Sequence, residues 1–270
     1  MYGAPGGPQA RRMDPRITAA TAAQHGLISR RQLERLHFTG PQIRRMRAAG
    51  ELVLVRRGWW TTAETWAAAD DYTGRLVLRT IAAGLNISSN DVVFSHESAG
   101  YLQELPMLRP SREVVHVTRP GVGGGRGGLG IKQHPAAYRP SQVVERRGLR
   151  CLDLARTAVD IGREHGYLHG LAAADAARHR DVSLQQLEAA LAPMRCWPGV
   201  TAARAAVADS RDGAESIGET LTRVLVKELG LAEEPETQFP VLTAKGVVWC
   251  DLRVGNHVFE FHGRIKLLPP

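Results

Sequence analysis

The sequence predicts an α+β fold, and three observations support this prediction. Over residues 14–72, short helical patterns lead into a pair of short strands. Residues 73–209 mix helices with a few strands around a glycine-rich loop, and residues 210–270 give one helix followed by strands. We therefore expect a winged, a middle and a C-terminal domain with these boundaries. They follow a Gly/Pro-rich leader, residues 1–13, that we expect to be disordered.

Composition indicates an ordinary globular protein with a basic balance. Of the 270 residues, 43% are hydrophobic and 23% are charged, so the chain has enough apolar residues to form hydrophobic cores. The 35 Lys and Arg residues against 27 Asp and Glu residues give a formal net charge of +8, which favours an anionic partner such as nucleic acid. Arginine supplies most of the positive charge, so the bias can reflect a GC-rich genome as much as a binding surface.

Cysteine usage and hydropathy favour a cytoplasmic protein. Cys151, Cys196 and Cys250 are far apart and form no C-x-x-C pair, so neither a zinc ribbon nor a disulfide framework is indicated. No apolar run approaches the roughly 18 residues that span a membrane, and the N-terminus has no signal-peptide pattern. We expect a cytoplasmic location and no membrane partner.

Three helix signals occupy the first fifty residues. Residues 15–25 read as a helix that ends at Gly26, a residue suited to the position just after a helix. Ser29 and Thr39 are each followed three residues later by Gln, which is the spacing of a capping box. Each should therefore begin a helix, and Gly50 should end the third one.

A basic hairpin follows the third helix. Residues 52–55 and 59–62 read as strands that flank a turn containing two arginines and a glycine. Three helices followed by such a hairpin form the winged helix-turn-helix arrangement, in which the third helix enters the major groove of DNA. The candidate DNA-binding residues are Thr39, Gln42, Arg44, Arg45 and Arg47 on the third helix and Arg56 and Arg57 on the wing. Clustered arginines neutralise phosphate, which favours double-stranded DNA as the partner. The alternative is a winged helix used for protein contacts, with the arginines forming a solvated face.

The glycine-rich loop at residues 119–130 does not have the pattern of a phosphate-binding loop. No Lys-Ser or Lys-Thr pair follows the glycines, and residues 131–134 do not read as a helix. A phosphate cradle needs backbone N–H groups at a helix N-terminus. A surface loop is therefore favoured.

Residues 14–180 resemble a known family. The similar segments are residues 22–30 (AAQHGLISR), 56–60 (RRGWW), 95–99 (SHESA), 154–160 (LARTAVD) and 174–177 (ADAA). They resemble the winged and middle regions of AbiEi-type antitoxins, from type IV toxin–antitoxin and abortive-infection systems. The resemblance implies a DNA-binding autoregulator or phage-defence protein, with a nucleotidyltransferase-like toxin as a possible partner.

Two polar residues in these segments are candidates for catalysis. His96 and Asp160 each lack an evident second catalytic group, and a lone His or Asp is weak support for an active site. We interpret His96 as a capping or packing residue. We interpret Asp160 as a buried partner of Arg156.

The last sixty residues read as a helix followed by a hairpin-linked sheet. The predicted apolar stripe of the helix is Ile217, Leu221, Val224, Leu225 and Leu229. The predicted strands are residues 237–242, 247–254 and 257–261. A Gly255-Asn256 turn sets Val254 opposite His257, and it sets Asp251 opposite Glu260. Two facing carboxylates repel each other unless something compensates, and Mg²⁺ or Mn²⁺ suits such oxygen ligands.

This arrangement resembles the core of PD-(D/E)XK nucleases, particularly the very-short-patch-repair-like domain. The resemblance implies that Glu219, Asp251 and Glu260 are the catalytic acids, with Asp251 and Glu260 holding a metal that activates water. His262 stands where the superfamily has Lys and this subfamily usually has Asp. Lys266 is the nearest basic substitute.

Two features weigh against catalysis in this region. Glu219 has capping-box spacing with Ser216, so it can serve simply as a helix cap. The chain also stops at Pro270, before the helix and strand that cover the sheet in such domains, so we expect a partial domain with little or no nuclease activity. The function we expect is DNA-binding regulation of the antitoxin type. The alternatives are a metal-dependent endonuclease targeted by the winged helix and a protein-interaction module that neutralises a toxin.

Overall fold

The computed structural model describes residues 13–69, 73–87, 89, 91–121, 130–230 and 234–261. Helices and separate sheets both contribute to the fold, which confirms the α+β class. By its contacts the chain divides into two units, residues 1–88 and 89–270. Over the described ranges, no helix is both long and apolar enough to cross a membrane.

The first unit combines short helices with a small antiparallel sheet. Its described helices are α1 (Pro15–Ala22), α2 (Arg30–Arg35), α3 (Gly40–Ala48), α4 (Ala63–Ala68) and α5 (Gly74–Gly84). Its strands are β1 (Ile28–Ser29), β2 (Leu52–Arg56) and β3 (Trp59–Thr62), in the order β1-β3-β2. Ile17, Ile28, Leu33, Ile43 and Trp60 join one buried core, so the three N-terminal helices and the sheet stabilise one another.

Both predicted capping boxes are present. The Ser29 Oγ accepts a hydrogen bond from the Gln32 backbone N–H, and the Gln32 side chain accepts one from the Ser29 N–H. Thr39 and Gln42 repeat this arrangement at the start of α3. Each box satisfies two N–H groups that a helix start otherwise leaves without partners, so these starts are determined locally.

The beginning and end of the first unit differ from the prediction. Helix α1 ends at Ala22 rather than His25, because His25 and Gly26 adopt φ values of +53° and +81° in a turn that directs the chain into β1. Strand β1 was not predicted. Helix α5 packs against β2 and lies in the first unit, although the predicted boundary at residue 72 assigned it to the middle domain.

The second unit contains six described α-helices and two sheets. The helices are α6 (His96–Leu102), α7 (Leu154–His165), α8 (Tyr167–Arg178), α9 (Leu184–Leu191), α10 (Val200–Asp209) and α11 (Ile217–Glu228). One sheet has the order β6-β5-β4-β8-β7 and consists of β4 (Val93–Phe94), β5 (Val115–Thr118), β6 (Ile131–His134), β7 (Val143–Arg146) and β8 (Leu149–Leu152). The other has the order β11-β10-β9 and consists of β9 (Glu236–Thr243), β10 (Gly246–Val254) and β11 (His257–Phe259).

The glycine-rich loop leads into a strand. Residues 122–129 lie outside the described residues, but β6 follows them directly and pairs with β5 in parallel. The expectation that no helix follows the glycines is therefore confirmed. This register sets Thr118 beside His134 and His116 beside Lys132, so the side chains of His116 and His134 lie on the same face of the sheet.

Helix α7 is the centre of the second unit. It contacts α6, α8, α9 and α10, and α6 in turn packs on β5. Helices α7 and α8 approach closely at Gly162 and Gly170, where a Cβ on Gly170 would lie 2.6 Å from the Gly162 Cα. This packing brings the start of α6, the strands β5 and β6 and the end of α7 together.

A buried ionic network joins α11 to α8. The carboxylate of Asp175 accepts hydrogen bonds from the Arg223 Nη2 (2.6 Å), the Thr220 Oγ1 (2.8 Å) and the Arg211 backbone N (2.7 Å). Asp175 and Arg223 are 1% and 2% exposed. A charge this deeply buried is stable only when it is paired and hydrogen-bonded, and the network provides both.

The network changes which face of α11 is buried. The buried residues are Gly218, Thr220, Arg223 and Val226. The predicted apolar stripe is therefore wrong as the buried face, since Leu225 and Leu229 are 60% and 62% exposed. The long-range pairing with Asp175 rotates α11 away from the orientation that its apolar pattern favours.

Candidate nucleic-acid interface and histidine cluster

Helix α3 presents a basic face to solvent. Ile43 lies in the core at 5% exposure. Arg44 and Arg45 follow it at about 100° and 200° around the helix axis, so they project away from the core, and both are exposed. The residues predicted to read DNA therefore lie on the outer side of a helix that is held firmly by its inner side.

The start of α3 is exposed and already partly hydrogen-bonded. Thr39 and Gln42 are both exposed, and the Gln42 Oε1 accepts hydrogen bonds from the backbone N–H and the Oγ1 of Thr39. The amide Nε2 of Gln42 donates to no other described residue. The cap uses the acceptor of Gln42 and leaves its donor group available to a ligand.

The β2–β3 turn is the segment that the sequence predicts as the wing. Arg57 and Gly58 are exposed at its tip, and Gly58 has a φ of +86°, a value that favours glycine. Arg56 is half-buried at the end of β2, beside a register shift in the ladder. The Arg47 guanidinium of α3 lies 5.8 Å from the centroid of the Trp60 ring in β3, which stabilises the position of the helix beside the hairpin.

The positive charge of the chain is concentrated in the first unit. Residues 1–88 contain 13 arginines and six acidic residues, giving +7 of the chain's formal +8. Arg16 pairs with Asp14 and Arg30 pairs with Glu34. No ion pair with a described acidic residue involves Arg44, Arg45, Arg47, Arg56 or Arg57. These guanidinium groups are therefore free to neutralise an external anion.

The hairpin that carries two of the C-terminal acids has the predicted register over its recorded pairs. The predicted pairs of Val254 with His257 and Arg253 with Val258 are confirmed, and the last recorded pair joins Leu252 to Phe259. Asp251 and Glu260 are each one position beyond that pair.

These acids accept hydrogen bonds from groups near them in sequence and, for Glu219, from the Gln238 Nε2 in β9 at 3.4 Å. The Asp251 Oδ2 accepts a hydrogen bond from the Phe261 backbone N at 2.7 Å. Both Glu219 oxygens are used at the start of α11, where they accept from the Ser216 Oγ (2.7 Å) and the Glu215 backbone N (2.9 Å). The side-chain cap of α11 is Ser216, whose Oγ accepts from the Glu219 backbone N–H, so the predicted capping box forms only in part. His262 and Lys266 lie outside the described residues.

Potential metal ligands converge elsewhere in the second unit. Within the described ranges, three or more candidate ligand atoms come within 4.8 Å of one another in two groups, His96–His116–His134 and Glu97–His116–His165. Neither group includes Glu219, Asp251 or Glu260. Metal binding by Asp251 and Glu260 stays a prediction.

We call His96, His116 and His134 the histidine cluster. His96 begins α6, His116 lies in β5 and His134 ends β6. The His116 Nδ1 lies 2.9 Å from the His134 Nε2, and the rings of His96 and His134 stack with centroids 3.8 Å apart. The Ser95 Oγ lies 2.9 Å from the His96 Nδ1. His96 is buried, as the packing interpretation expected, but it packs against two other imidazoles.

Glu97 adjoins the cluster and is almost completely buried. Its Oε2 lies 3.4 Å from the His116 Nε2, and its Oε1 contacts the His165 Nε2. Despite these neighbours, neither carboxylate oxygen has a hydrogen bond of good geometry among the described residues, and Glu97 is only 1% exposed. A buried carboxylate in this condition is costly unless positive charge lies close by.

The protonation preferences around Glu97 follow from burial and charge. Burial lowers the pKa of His96 well below its usual range, and burial together with the His116 ring lowers the pKa of His134 to about 4. Burial also lowers the pKa of His116, although the Glu97 carboxylate opposes this effect. The three imidazoles of the cluster are therefore neutral at neutral pH.

The pKa values of Glu97 and His165 each shift in the direction opposite to the effect of burial. Burial disfavours the charged form of Glu97, but the neighbouring His165 and His116 outweigh it and lower the pKa of the carboxyl. Burial likewise disfavours the charged form of His165, but Glu97 outweighs it and raises the pKa of the imidazole. Glu97 is thus held as a carboxylate beside the cluster.

The cluster opens onto a cavity of about 360 Å³. His96 and His134 line it together with Glu164, Cys196 and Trp197. Sequence reasoning missed this site because its histidines come from three different elements, and no short motif relates them. The pair of histidines at the end of α7 and the start of α8, His165 and His169, was the nearest local signal.

The interpretation of Asp160 is confirmed. Its Oδ2 accepts a hydrogen bond from the Arg156 Nε at 2.9 Å, and its Oδ1 accepts one from the Arg163 Nη1 at 2.8 Å. Asp160 and Arg156 are 0% and 1% exposed. Asp160 therefore stabilises α7 rather than facing a substrate.

Comparisons with known proteins add little to this geometry. No protein-family model matches the sequence, and no curated protein matches it. Among solved structures, the crystal structure of the RV2827C protein from Mycobacterium tuberculosis is similar over 73% of this chain and 81% of that chain, at 17% sequence identity and a TM-score of 0.40.

Proposed function

We propose that this protein binds double-stranded DNA through its first unit, with α3 in the major groove and the β2–β3 turn against the backbone. The observation that carries the proposal is the set of arginines on α3 and the wing, which have no described ion-pair partner in a unit of charge +7. Clustered cationic side chains without acidic partners favour an anionic partner, and the phosphates of DNA supply one.

The positions of the arginines suit two different roles. Arg44 and Arg45 project from the outer side of α3, where guanidinium groups can donate two hydrogen bonds to a guanine edge. The donor group of Gln42 can meet an adenine or a phosphate in the same groove. Arg56 and Arg57 lie at the wing, where phosphate or the minor groove is within reach.

The resemblance to AbiEi-type antitoxins supplies a biological setting for this activity. In that setting the protein represses its own promoter and neutralises a nucleotidyltransferase-like toxin. The similar segments at residues 95–99 and 154–160 coincide with the starts of α6 and α7, and residues 174–177 lie within α8. This agreement between the similar segments and the helices supports the proposal.

The test compares two double variants that remove the same charge. Labelled duplexes carrying the DNA upstream of the protein's own gene, or a shuffled sequence, are titrated while fluorescence anisotropy is recorded. We expect Arg44→Ala/Arg45→Ala to lose affinity and preference for the upstream sequence, by about 1–3 kcal/mol for each base contact removed.

The matched control is Arg195→Ala/Arg204→Ala in the second unit. Both arginines are exposed, and neither forms an ion pair with a described residue. The control should bind like the wild type apart from a small general charge effect. If Arg44→Ala/Arg45→Ala binds each duplex as tightly as the control variant does, α3 does not contact DNA.

A further inference from the structure

We infer that His96, His116 and His134 form a binding site for a divalent transition-metal ion, with Zn²⁺ as the preferred ion and Glu97 as the carboxylate that orients His116. The inference does not depend on DNA binding by the first unit. The site differs from the acidic pair predicted near the C-terminus in its residues and in its ligand chemistry.

The first argument is the convergence of donor atoms. Nitrogen atoms from α6, β5 and β6 lie within 4.8 Å of one another. In a tetrahedral zinc site with Zn–N distances near 2.0–2.1 Å, ligand nitrogens are about 3.3 Å apart. Small side-chain rotations would bring these nitrogens to that spacing, including a turn of the His96 ring out of its stack on His134.

The second argument is the condition of Glu97. If the His116 Nδ1 binds a metal, the ring proton must be on Nε2, which faces the Glu97 Oε2 at 3.4 Å. Metal binding thereby fixes the tautomer whose Nε2–H points at a buried carboxylate oxygen, which has no hydrogen bond of good geometry among the described residues. A carboxylate that accepts from the second nitrogen of a metal-bound histidine is a recurrent feature of such sites.

The choice between the two possible ligand groups, which share His116, follows from access to the ion. His96 and His134 of the histidine cluster line the 360 Å³ cavity, whereas neither Glu97 nor His165 of the second group lines it. The cluster is therefore the favoured ligand group.

The surroundings tolerate a cation and allow it to enter. The basic side chains Lys132, Arg156 and Arg163 near the cluster are each paired, Lys132 with Glu164 and both arginines with Asp160. Glu97 contributes a further negative charge next to the ligands. His96 and His134 line the 360 Å³ cavity, so a water or another small ligand can occupy a fourth position on the metal.

The nature of the donors favours zinc. Three imidazole nitrogens suit Zn²⁺, Cu²⁺, Ni²⁺ and Fe²⁺, whereas Mg²⁺ and Ca²⁺ prefer oxygen ligands. Three protein ligands with an open fourth position are common for zinc.

The experiment measures Zn²⁺ uptake by the full-length protein after removal of metal with a chelator. Zn²⁺ is titrated in competition with a chromophoric chelator, and we expect about one ion per chain. His134→Gln should weaken binding by more than about 100-fold, since loss of a ligand should cost more than the 10–100-fold typical of an orienting carboxylate. Glu97→Gln should weaken it by about 10–100-fold.

Two matched variants and one spectrum decide the location of the ion. His165→Gln should weaken Zn²⁺ binding far less than His134→Gln, because His165 contacts the orienting carboxylate and not the ion. Asp251→Ala/Glu260→Ala should bind Zn²⁺ like the wild type, so the two variants separate the cluster from the two other candidate groups. Co²⁺ bound to the wild type should give the strong visible bands of a tetrahedral site without a thiolate charge-transfer band, a result that does not require any variant to fold. Failure of the wild type to bind Zn²⁺, unchanged binding by His134→Gln, a loss in His165→Gln as large as that in His134→Gln, or a thiolate band for Co²⁺ would each overturn the inference.

Discussion

Removal of the two wing arginines should lower the salt dependence of DNA binding by a calculable amount. Each phosphate that a side chain neutralises contributes about 0.9 to the slope of log K against log salt concentration. Arg56→Ala/Arg57→Ala removes two candidate contacts, so the slope should become shallower by about 1.8.

The expected magnitude follows from the number of free arginines. If Arg47, Arg56 and Arg57 contact phosphate while Arg44 and Arg45 reach base edges, the slope is about −2.7, and affinity falls by roughly 40-fold between about 50 and 200 mM salt. With one phosphate contact left, the slope is about −0.9, and the fall over the same range is roughly 3.5-fold. A difference of this size is easily resolved.

The assay is fluorescence anisotropy with a duplex, repeated at four or more salt concentrations. Arg195→Ala/Arg204→Ala is the control, because it removes the same charge from exposed positions outside the first unit. Equal slopes for the wing variant and the wild type would show that the wing does not contact DNA and would refute the reasoning from its free arginines.

Three further predictions concern the second unit. Asp175→Ala should destabilise the protein by about 3–5 kcal/mol in urea denaturation, because it leaves a buried arginine unpaired. The control Asp212→Ala, at a side chain that is 77% exposed, should change stability by less than about 0.5 kcal/mol. Equal losses of stability in the two variants would contradict the network. Gly199→Ala should destabilise by more than about 1 kcal/mol, because Gly199 has a φ of +75° and a Cβ there would lie 1.9 Å from a carbonyl oxygen; a neutral effect would contradict the backbone conformation. Burial raises the pKa of Cys151 to about 12, so at pH 8 a thiol reagent should modify the exposed Cys196 and leave Cys151 unmodified until the protein unfolds. Rapid labelling of Cys151 in the native state would contradict its burial.

The features that sequence reasoning predicted correctly are determined by nearby residues. The starts of α2 and α3 depend on side chains three residues apart, and the β10–β11 hairpin depends on its two-residue turn. Such signals act over a few positions, so they can be read without knowledge of the tertiary structure. The pairing of Arg156 with Asp160 is also local, since it spans one helical turn.

The features that sequence reasoning missed depend on residues that are far apart in the sequence. Strand β1 has only two residues and exists because it pairs with β3. The buried face of α11 is set by Asp175, which lies on another helix. The histidine cluster requires the parallel register of β5 and β6 and the docking of α6 on β5, neither of which a single sequence reveals.

The most direct test of DNA binding by the first unit is a map of the residues that respond to duplex. Backbone amide resonances of the full-length, isotope-labelled protein are compared before and after addition of a duplex that it binds. We expect the largest chemical-shift changes at residues 39–47 and 56–58, with little change in the sheet formed by β9, β10 and β11. Changes confined to residues 89–261, or no change at a concentration of duplex that saturates the wild type in anisotropy, would contradict the account.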